Sequence, residues 1–110
     1  MYARVAHFEG GDPATMDAEL EDMKRQMEAA RGGQMPDDAP AEAQTLMETV
    51  VRWVELIDRS TGASVGIAFC ASEDDARRAD AALDAMSPPG GVGRRTSVAI
   101  YEVALDESFE

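Results

Sequence analysis

One segment limits the fold of this chain more than any other. Residues 65–71, VGIAFCA, are apolar at every position. Because side chains alternate between the two faces of a β-strand, a strand formed here would be apolar on both faces. Such a strand belongs inside a sheet whose two sides are both covered. The segment therefore predicts a sheet with a covering layer on each side.

Hydrophobic periodicity places further strands and helices around this segment. Strands are predicted at residues 2–9, 49–58, 64–71 and 96–105. Two helices are predicted to begin at the caps Asp12, which precedes Pro13, and Ser72, which a carboxylate follows three positions later. One face of the first helix carries apolar side chains at helical spacing: Met16, Leu20, Met23 and Met27. Methionines in this pattern favour a core-facing stripe over a metal or cofactor site.

The resulting order, βαββαβ, is that of the ferredoxin-like fold. It predicts an α+β domain with a four-stranded antiparallel sheet and two helices on one face. We expect residues 1–110 to form this single domain, with a flexible loop at 32–46 and an acidic tail at 106–110. Two helices cover only one side of such a sheet, so the other side needs a partner.

Alternation within the strands predicts which side chains face the helices. The bulky positions of the third strand, Val65, Ile67 and Phe69, suit the helix-covered face, and the small residues between them face the other way. The first strand is expected to turn its charge away from the helices, because a buried charge is costly without a partner. Its residues predicted on the open face are Tyr2, Arg4, Ala6 and Phe8. Glu102 is expected beside Arg4 as a cross-strand ion pair.

An open face that carries Tyr2, Phe8, Val98 and Ile100 is too apolar to remain in water. The sequence therefore predicts a homodimer in which the open faces of two sheets meet. The second strand is ambiguous, because Arg52 and Glu55 fall on opposite faces. Which of its faces lines a cleft is left open.

The charge of the chain bears on its partners. The formal net charge is −12, and a surface this acidic repels nucleic-acid phosphates and anionic lipid headgroups. We therefore expect neither nucleic acid nor a membrane as a partner. All of the basic residues except Lys24 are Arg, which is typical of GC-rich bacterial genes.

Cysteine and histidine usage constrains location and metal chemistry. Cys70 is the only cysteine, so no intrachain disulfide can form, and a cytoplasmic location is expected. The first residues lack the basic and apolar regions of a signal peptide. His7 is the only histidine, which excludes a multi-histidine metal site, and the acidic clusters lack a calcium-loop pattern. No metal site is predicted.

Several segments together resemble the dimeric α/β-barrel superfamily, close to its antibiotic-biosynthesis-monooxygenase-like domains. They are YARV at 2–5 leading into FEGG at 8–11, DRSTG at 58–62 leading to GIAF at 66–69, SED at 72–74, and VAIYEV at 98–103. The resemblance covers nearly the whole chain. It implies a homodimer with one cleft per subunit.

The resemblance implies a range of activities rather than one. Characterised members include cofactor-free oxygenases of aromatic polyketides and haem-degrading enzymes. The haem-degrading branch typically carries an Asn on strand one, a Trp on strand three and a His on the second helix. Here strand three offers Cys70, and the second helix has no His. No cofactor is therefore expected.

The candidate ligand-binding residues are Tyr2, Arg4, Trp53, Cys70 and Glu102. Trp53 could stack on a planar ligand, and Arg4 and Glu102 are charges on a sheet that faces a cleft. The leading hypothesis is a small-molecule-binding dimer, with cofactor-independent oxygenase or isomerase chemistry on a planar apolar substrate as an option. A non-catalytic ligand carrier or sensor, and a structural dimer that acts through protein–protein contacts, remain alternatives. No catalytic residue is assigned.

Overall fold

The computed structural model describes residues 1–33, 39–86 and 93–109. Its elements are β1 (Tyr2–Glu9), α1 (Pro13–Arg31), α2 (Ala41–Thr49), β2 (Val50–Asp58), β3 (Ala63–Cys70), α3 (Glu73–Ala85) and β4 (Arg94–Glu102). The strands form one antiparallel sheet in the order β2-β3-β1-β4. This α+β arrangement is compatible with the ferredoxin-like fold. Among the described residues, no helix is both long and apolar enough to span a membrane.

Both predicted helix caps are confirmed. The Asp12 carboxylate accepts a hydrogen bond from the backbone N–H of Ala14 at 2.9 Å. Ser72 Oγ accepts one from the backbone N–H of Asp75 at 3.1 Å. Each cap satisfies an N–H that has no partner within its helix, and so fixes where α1 and α3 begin.

The helix α2 corrects the prediction of a flexible loop at 32–46. Residues from Ala41 onward are helical and lead directly into β2, while residues 34–38 lie outside the described part of the chain. A segment this short is marginal by itself and depends on packing for its stability. Here α2 lies against α3, and Arg78 donates a hydrogen bond to Glu48 at 2.9 Å.

The faces of the sheet are opposite to those predicted. Arg4 and its cross-strand neighbour Ala68 lie beneath the helices, and Cys70 packs there against Ala76 and Ala79 of α3. The alanines of α3 let its backbone approach the sheet closely, so the small residues of β3 fit below it and the bulky ones do not. The Arg4 charge is neutralised by a carboxylate of α3 and therefore tolerates burial.

The other sheet face, here called the bare face, has no helix over it within the described part of the chain. Its residues follow from the register of the strands: Ala3, Val5, His7, Arg52, Val54, Leu56, Asp58, Ala63, Val65, Ile67, Phe69, Ser97, Ala99 and Tyr101. Most of these side chains are apolar, and Leu56 and Tyr101 are more than half exposed. The prediction of an apolar open face is thus confirmed, but with a different set of residues.

Candidate ligand-binding cleft

A cleft of about 1050 Å³ lies between α1 and the helix-covered face of the sheet. Its volume is at the upper end of the range for small-molecule sites. A second depression, beside the β2–β3 turn, measures about 220 Å³ and is too small and open for a comparable ligand.

Small residues form part of the cleft floor. Ala6 of β1 and Gly66 of β3 are cross-strand neighbours, and both are buried. A Cβ added at Gly66 would lie 3.0 Å from Glu55 Oε1 and 3.6 Å from Trp53 Cζ2. The missing side chain at Gly66 therefore leaves room for the larger side chains of β2 to lie over β3.

Apolar side chains of α1 and α2 line the cleft, and α1 also lines it with Lys24, Gln26, Glu28 and Arg31. Met16 is almost fully buried and anchors the first turns of the helix. The half-buried side chains of Leu20, Met23 and Met27 line the cleft. The predicted stripe of α1 thus divides into one core residue and three cleft residues. Methionine suits such a lining, because its flexible thioether adapts to ligands of different shape.

Trp53 and Glu55 form the main polar contact on the floor. They share a face of β2, and Trp53 Nε1 donates a hydrogen bond to Glu55 Oε1 at 3.0 Å. Burial raises the pKa of Glu55 above its ordinary value of 4.5, and the bond from Trp53 lowers the pKa by a smaller amount. The cleft therefore holds a carboxyl group that takes up a proton more readily than a surface glutamate.

A charged network closes one end of the cleft. Arg4 is only 4% exposed, and its Nε donates to Asp80 Oδ1 at 2.8 Å. Asp84 Oδ1 lies 3.7 Å from Arg4 Nη2 and also accepts a hydrogen bond from Arg95. Two carboxylates of α3 thus hold two guanidiniums in place. The buried arginine is satisfied by ion pairing rather than by solvent.

The predicted ion pair between Arg4 and Glu102 is wrong. The β1–β4 register places Ile100 opposite Arg4, and Glu102 opposite Tyr2. The true partner, Asp80, lies on α3, and nothing in the local sequence of β1 indicates that contact.

The structure brings together only some of the predicted ligand-binding residues. Arg4 and Trp53 line the cleft. Tyr2 packs against the core cluster around Cys70, which is fully buried, and burial raises the pKa of the Cys70 thiol. Glu102 is exposed at the end of β4 and is not a lining residue.

Sequence reasoning does not single out Glu55, although a signal for it exists. Residues two apart on a strand share a face, so Trp53 and Glu55 were bound to be neighbours once β2 formed. Gly66 is also a glycine in the interior of a strand, which often marks a close approach by other groups.

The described residues show no candidate metal site. Within residues 1–33, 39–86 and 93–109, no group of three or more His, Cys, Asp and Glu side chains is arranged to hold a metal ion.

Comparison with known proteins returns no match, either to a protein-family model or to a curated protein. The chemistry of the cleft is therefore inferred from its own residues.

Proposed function

We propose that this protein binds a planar, largely apolar small molecule in the cleft between α1 and the sheet, and that it does so as a homodimer. The proposal includes membership of the dimeric α/β-barrel superfamily, close to the antibiotic-biosynthesis-monooxygenase-like domains. The observation that carries it is the cleft of about 1050 Å³, which is lined by apolar side chains of α1 and α2 and by charged side chains from several elements.

The shape of the floor favours a flat ligand. Ala6 projects little above the sheet, and Trp53 and Glu55 lie over Gly66. A planar ring system can rest against Ala6 and the indole of Trp53 while the methionines of α1 pack against its other side. Glu55 then supplies a hydrogen bond that orients the ligand.

The bare face supports the homodimer. It presents a central apolar group of Val5, Val54, Val65, Ile67 and Phe69. An apolar sheet face of this kind is rarely left in water. A second copy of the same face is a self-complementary cover, as a twofold dimer requires.

Catalysis needs no cofactor under this proposal. Oxygenase or isomerase chemistry on the bound molecule would begin with its ionisation, for which the floor offers Glu55. The single buried thiol of Cys70 is compatible with the expected cytoplasmic location.

The fluorescence of Trp53 tests ligand binding directly, because Trp53 is the only tryptophan of the chain. We expect 9-fluorenone, a planar aromatic ketone, and 2-tetralone, a smaller ketone with one fused aromatic ring, to change this fluorescence saturably, with calorimetry as a second measure. Met23→Glu should weaken binding at least about tenfold, since it puts an unpaired carboxylate among the apolar side chains of α1.

Ala18→Glu is the matched control. It adds the same charge to α1 at an exposed position that does not line the cleft, so its affinity should equal that of the wild type. Equal affinities of Met23→Glu and the wild type, or no binding of either ketone at millimolar concentration, would contradict the proposal. Binding without any turnover in the presence of oxygen would favour a carrier over an enzyme.

A further inference from the structure

Glu55 is a carboxyl group that the fold itself does not use. Among the described residues it takes part in no ion pair, and its one hydrogen bond comes from Trp53. Of the other acidic residues that line the cleft, Asp84 is paired with arginines and Glu28 is exposed on α1. A half-buried carboxyl in an apolar cleft needs a reason to be there, because its desolvation opposes folding.

The position of Glu55 is defined from two sides. The indole N–H of Trp53 fixes Oε1 at 3.0 Å, and the absent side chain of Gly66 leaves the space that Oε1 occupies. A neutral indole donor tolerates both the charged and the protonated carboxyl. The group is therefore held in place while it gains or loses a proton, as a proton-transfer residue must be.

Charges from several elements line the same cleft. They are Arg4 on β1, Lys24, Glu28 and Arg31 on α1, Asp84 on α3 and Arg95 on β4. Arg52 of β2 also borders the cleft, but its guanidinium is turned to the bare face, over the ring of Phe69 at 5.8 Å. Burial is the main cause of the raised pKa of Glu55, ahead of any of these charges.

Resting on the proposed function, we propose that Glu55 transfers a proton between two carbons of a bound β,γ-unsaturated ketone, so that the cleft catalyses isomerisation through a dienolate. The Glu55 carboxylate removes a proton from the carbon between the carbonyl and the double bond; the electron pair of the broken C–H bond forms a new C=C bond, and the π pair of the carbonyl moves to its oxygen. The carboxyl then returns the proton to the γ carbon, the carbonyl re-forms, and the remaining double bond is now conjugated with it. No oxidant, reductant or metal is consumed, and atoms and electrons balance within the substrate.

Trp53 and Gly66 are positioning residues in this scheme, since they hold the carboxyl and do not react. The raised pKa of Glu55 suits its role, because a base whose pKa lies nearer to neutrality accepts a carbon-bound proton more readily.

The test follows the exchange of the C1 hydrogens of 2-tetralone for deuterium from D₂O, measured by proton NMR with the buffer rate subtracted. Glu55→Gln should keep the hydrogen bond from Trp53, because a glutamine amide oxygen also accepts. We expect this variant to lower the protein-catalysed exchange at least about 100-fold, while its Kd for 2-tetralone stays within about threefold of the wild-type value. Glu21→Gln makes the same change on the exposed side of α1 and should exchange like the wild type.

The pH profile supplies a readout that a merely structural role would not change. Only the deprotonated carboxyl is a base, so wild-type exchange should rise with pH through the pKa of Glu55 and level off above it, with a midpoint higher than 4.5. Glu55→Asp keeps a carboxyl and should retain part of the exchange, which guards against a folding defect in Glu55→Gln.

The outcomes separate the two proposals. Wild-type protein that binds 2-tetralone without exchange above the buffer rate overturns the role of Glu55 and leaves ligand binding intact. Exchange by Glu55→Gln at the wild-type rate likewise overturns the role of Glu55 and leaves ligand binding intact. Failure of the wild type to bind 2-tetralone counts against the role of Glu55, and failure to bind 9-fluorenone as well counts against both proposals.

Discussion

Ser64 is a buried hydroxyl that the fold leaves without a partner. Its side chain is 3% exposed, and within the described part of the chain its Oγ makes no hydrogen bond. It lies on the helix-covered face of β3, opposite Phe8 of β1 and Ile57 of β2. A hydroxyl removed from water without a new hydrogen bond destabilises the folded state by roughly 1–3 kcal/mol.

We expect Ser64→Ala to raise the free energy of unfolding by about 1 kcal/mol, because it removes the desolvated hydroxyl and leaves only a small void. Urea unfolding followed by circular dichroism measures the change, with the slope unaltered. Ser60→Ala is the control and should lower the free energy of unfolding. It removes the hydrogen bond that Ser60 Oγ donates to Asp58 Oδ1 at 2.6 Å in the β2–β3 turn. A Ser64→Ala protein less stable than the wild type would show that the hydroxyl has a partner.

At the scale of elements, two turns meet and set the start of α1. Gly11, in the β1–α1 turn, donates its backbone N–H to the carbonyl of Gly62, in the β2–β3 turn, at 3.2 Å. Nearby, Arg59 Nη1 lies 2.7 Å from Asp17 Oδ1 of α1 and forms an ion pair with it. The far part of α1 borders the cleft, so this junction holds the cleft wall against the sheet.

Gly62 is needed at this junction for two reasons. Its φ is +80°, and an added Cβ would lie 2.1 Å from the carbonyl oxygen of Gly11. Gly62→Ala should therefore lower the free energy of unfolding by clearly more than the roughly 1 kcal/mol expected for an alanine in the left-handed conformation alone. It should also weaken binding of 2-tetralone. Urea unfolding and Trp53 fluorescence measure the two effects.

Gly10→Ala is the control that has a positive φ but no steric contact. Its φ is +76°, but an added Cβ meets no atom within 4 Å. The free energy of unfolding of this variant should fall by only about 1 kcal/mol, and its affinity for 2-tetralone should be unchanged. If Gly62→Ala and Gly10→Ala lower the free energy of unfolding equally, the contact between the two turns contributes nothing to stability.

At the scale of the whole molecule, the bare face decides how the protein exists in solution. Leu56, on the edge strand β2, is 52% exposed on this face, so a polar substitution there has little cost within one protomer. In a twofold dimer the same residue would enter the interface twice.

We expect the wild type to sediment as a dimer at micromolar concentration and Leu56→Glu to shift toward monomer, with a dissociation constant raised at least about tenfold. The reason is the burial of two unpaired carboxylates. Leu105→Glu, at an exposed leucine outside the strands, should remain dimeric. A monomeric wild type would reject the homodimer and leave the cleft to be tested alone.

Local signals were enough to predict much of this protein. The bounds of β1, the caps Asp12 and Ser72 and the order of the main elements follow from alternation and capping, which act over a few residues. The pairing of Trp53 with Glu55 was also within reach, because residues two apart on a strand share a face.

Only the tertiary structure decided which face of the sheet the helices cover. The charge of Arg4 argues for the open face until Asp80, which follows far along the chain, is placed beside it. The cleft likewise depends on how far α1 stands from Ala6 and Gly66, and α2 depends on its packing against α3. The sequence by itself determined the four strands, α1 and α3 and their order, because those depend on short-range hydrogen bonds and periodicity. The faces and the cleft were decided by long-range ion pairing and packing, which no local pattern contains.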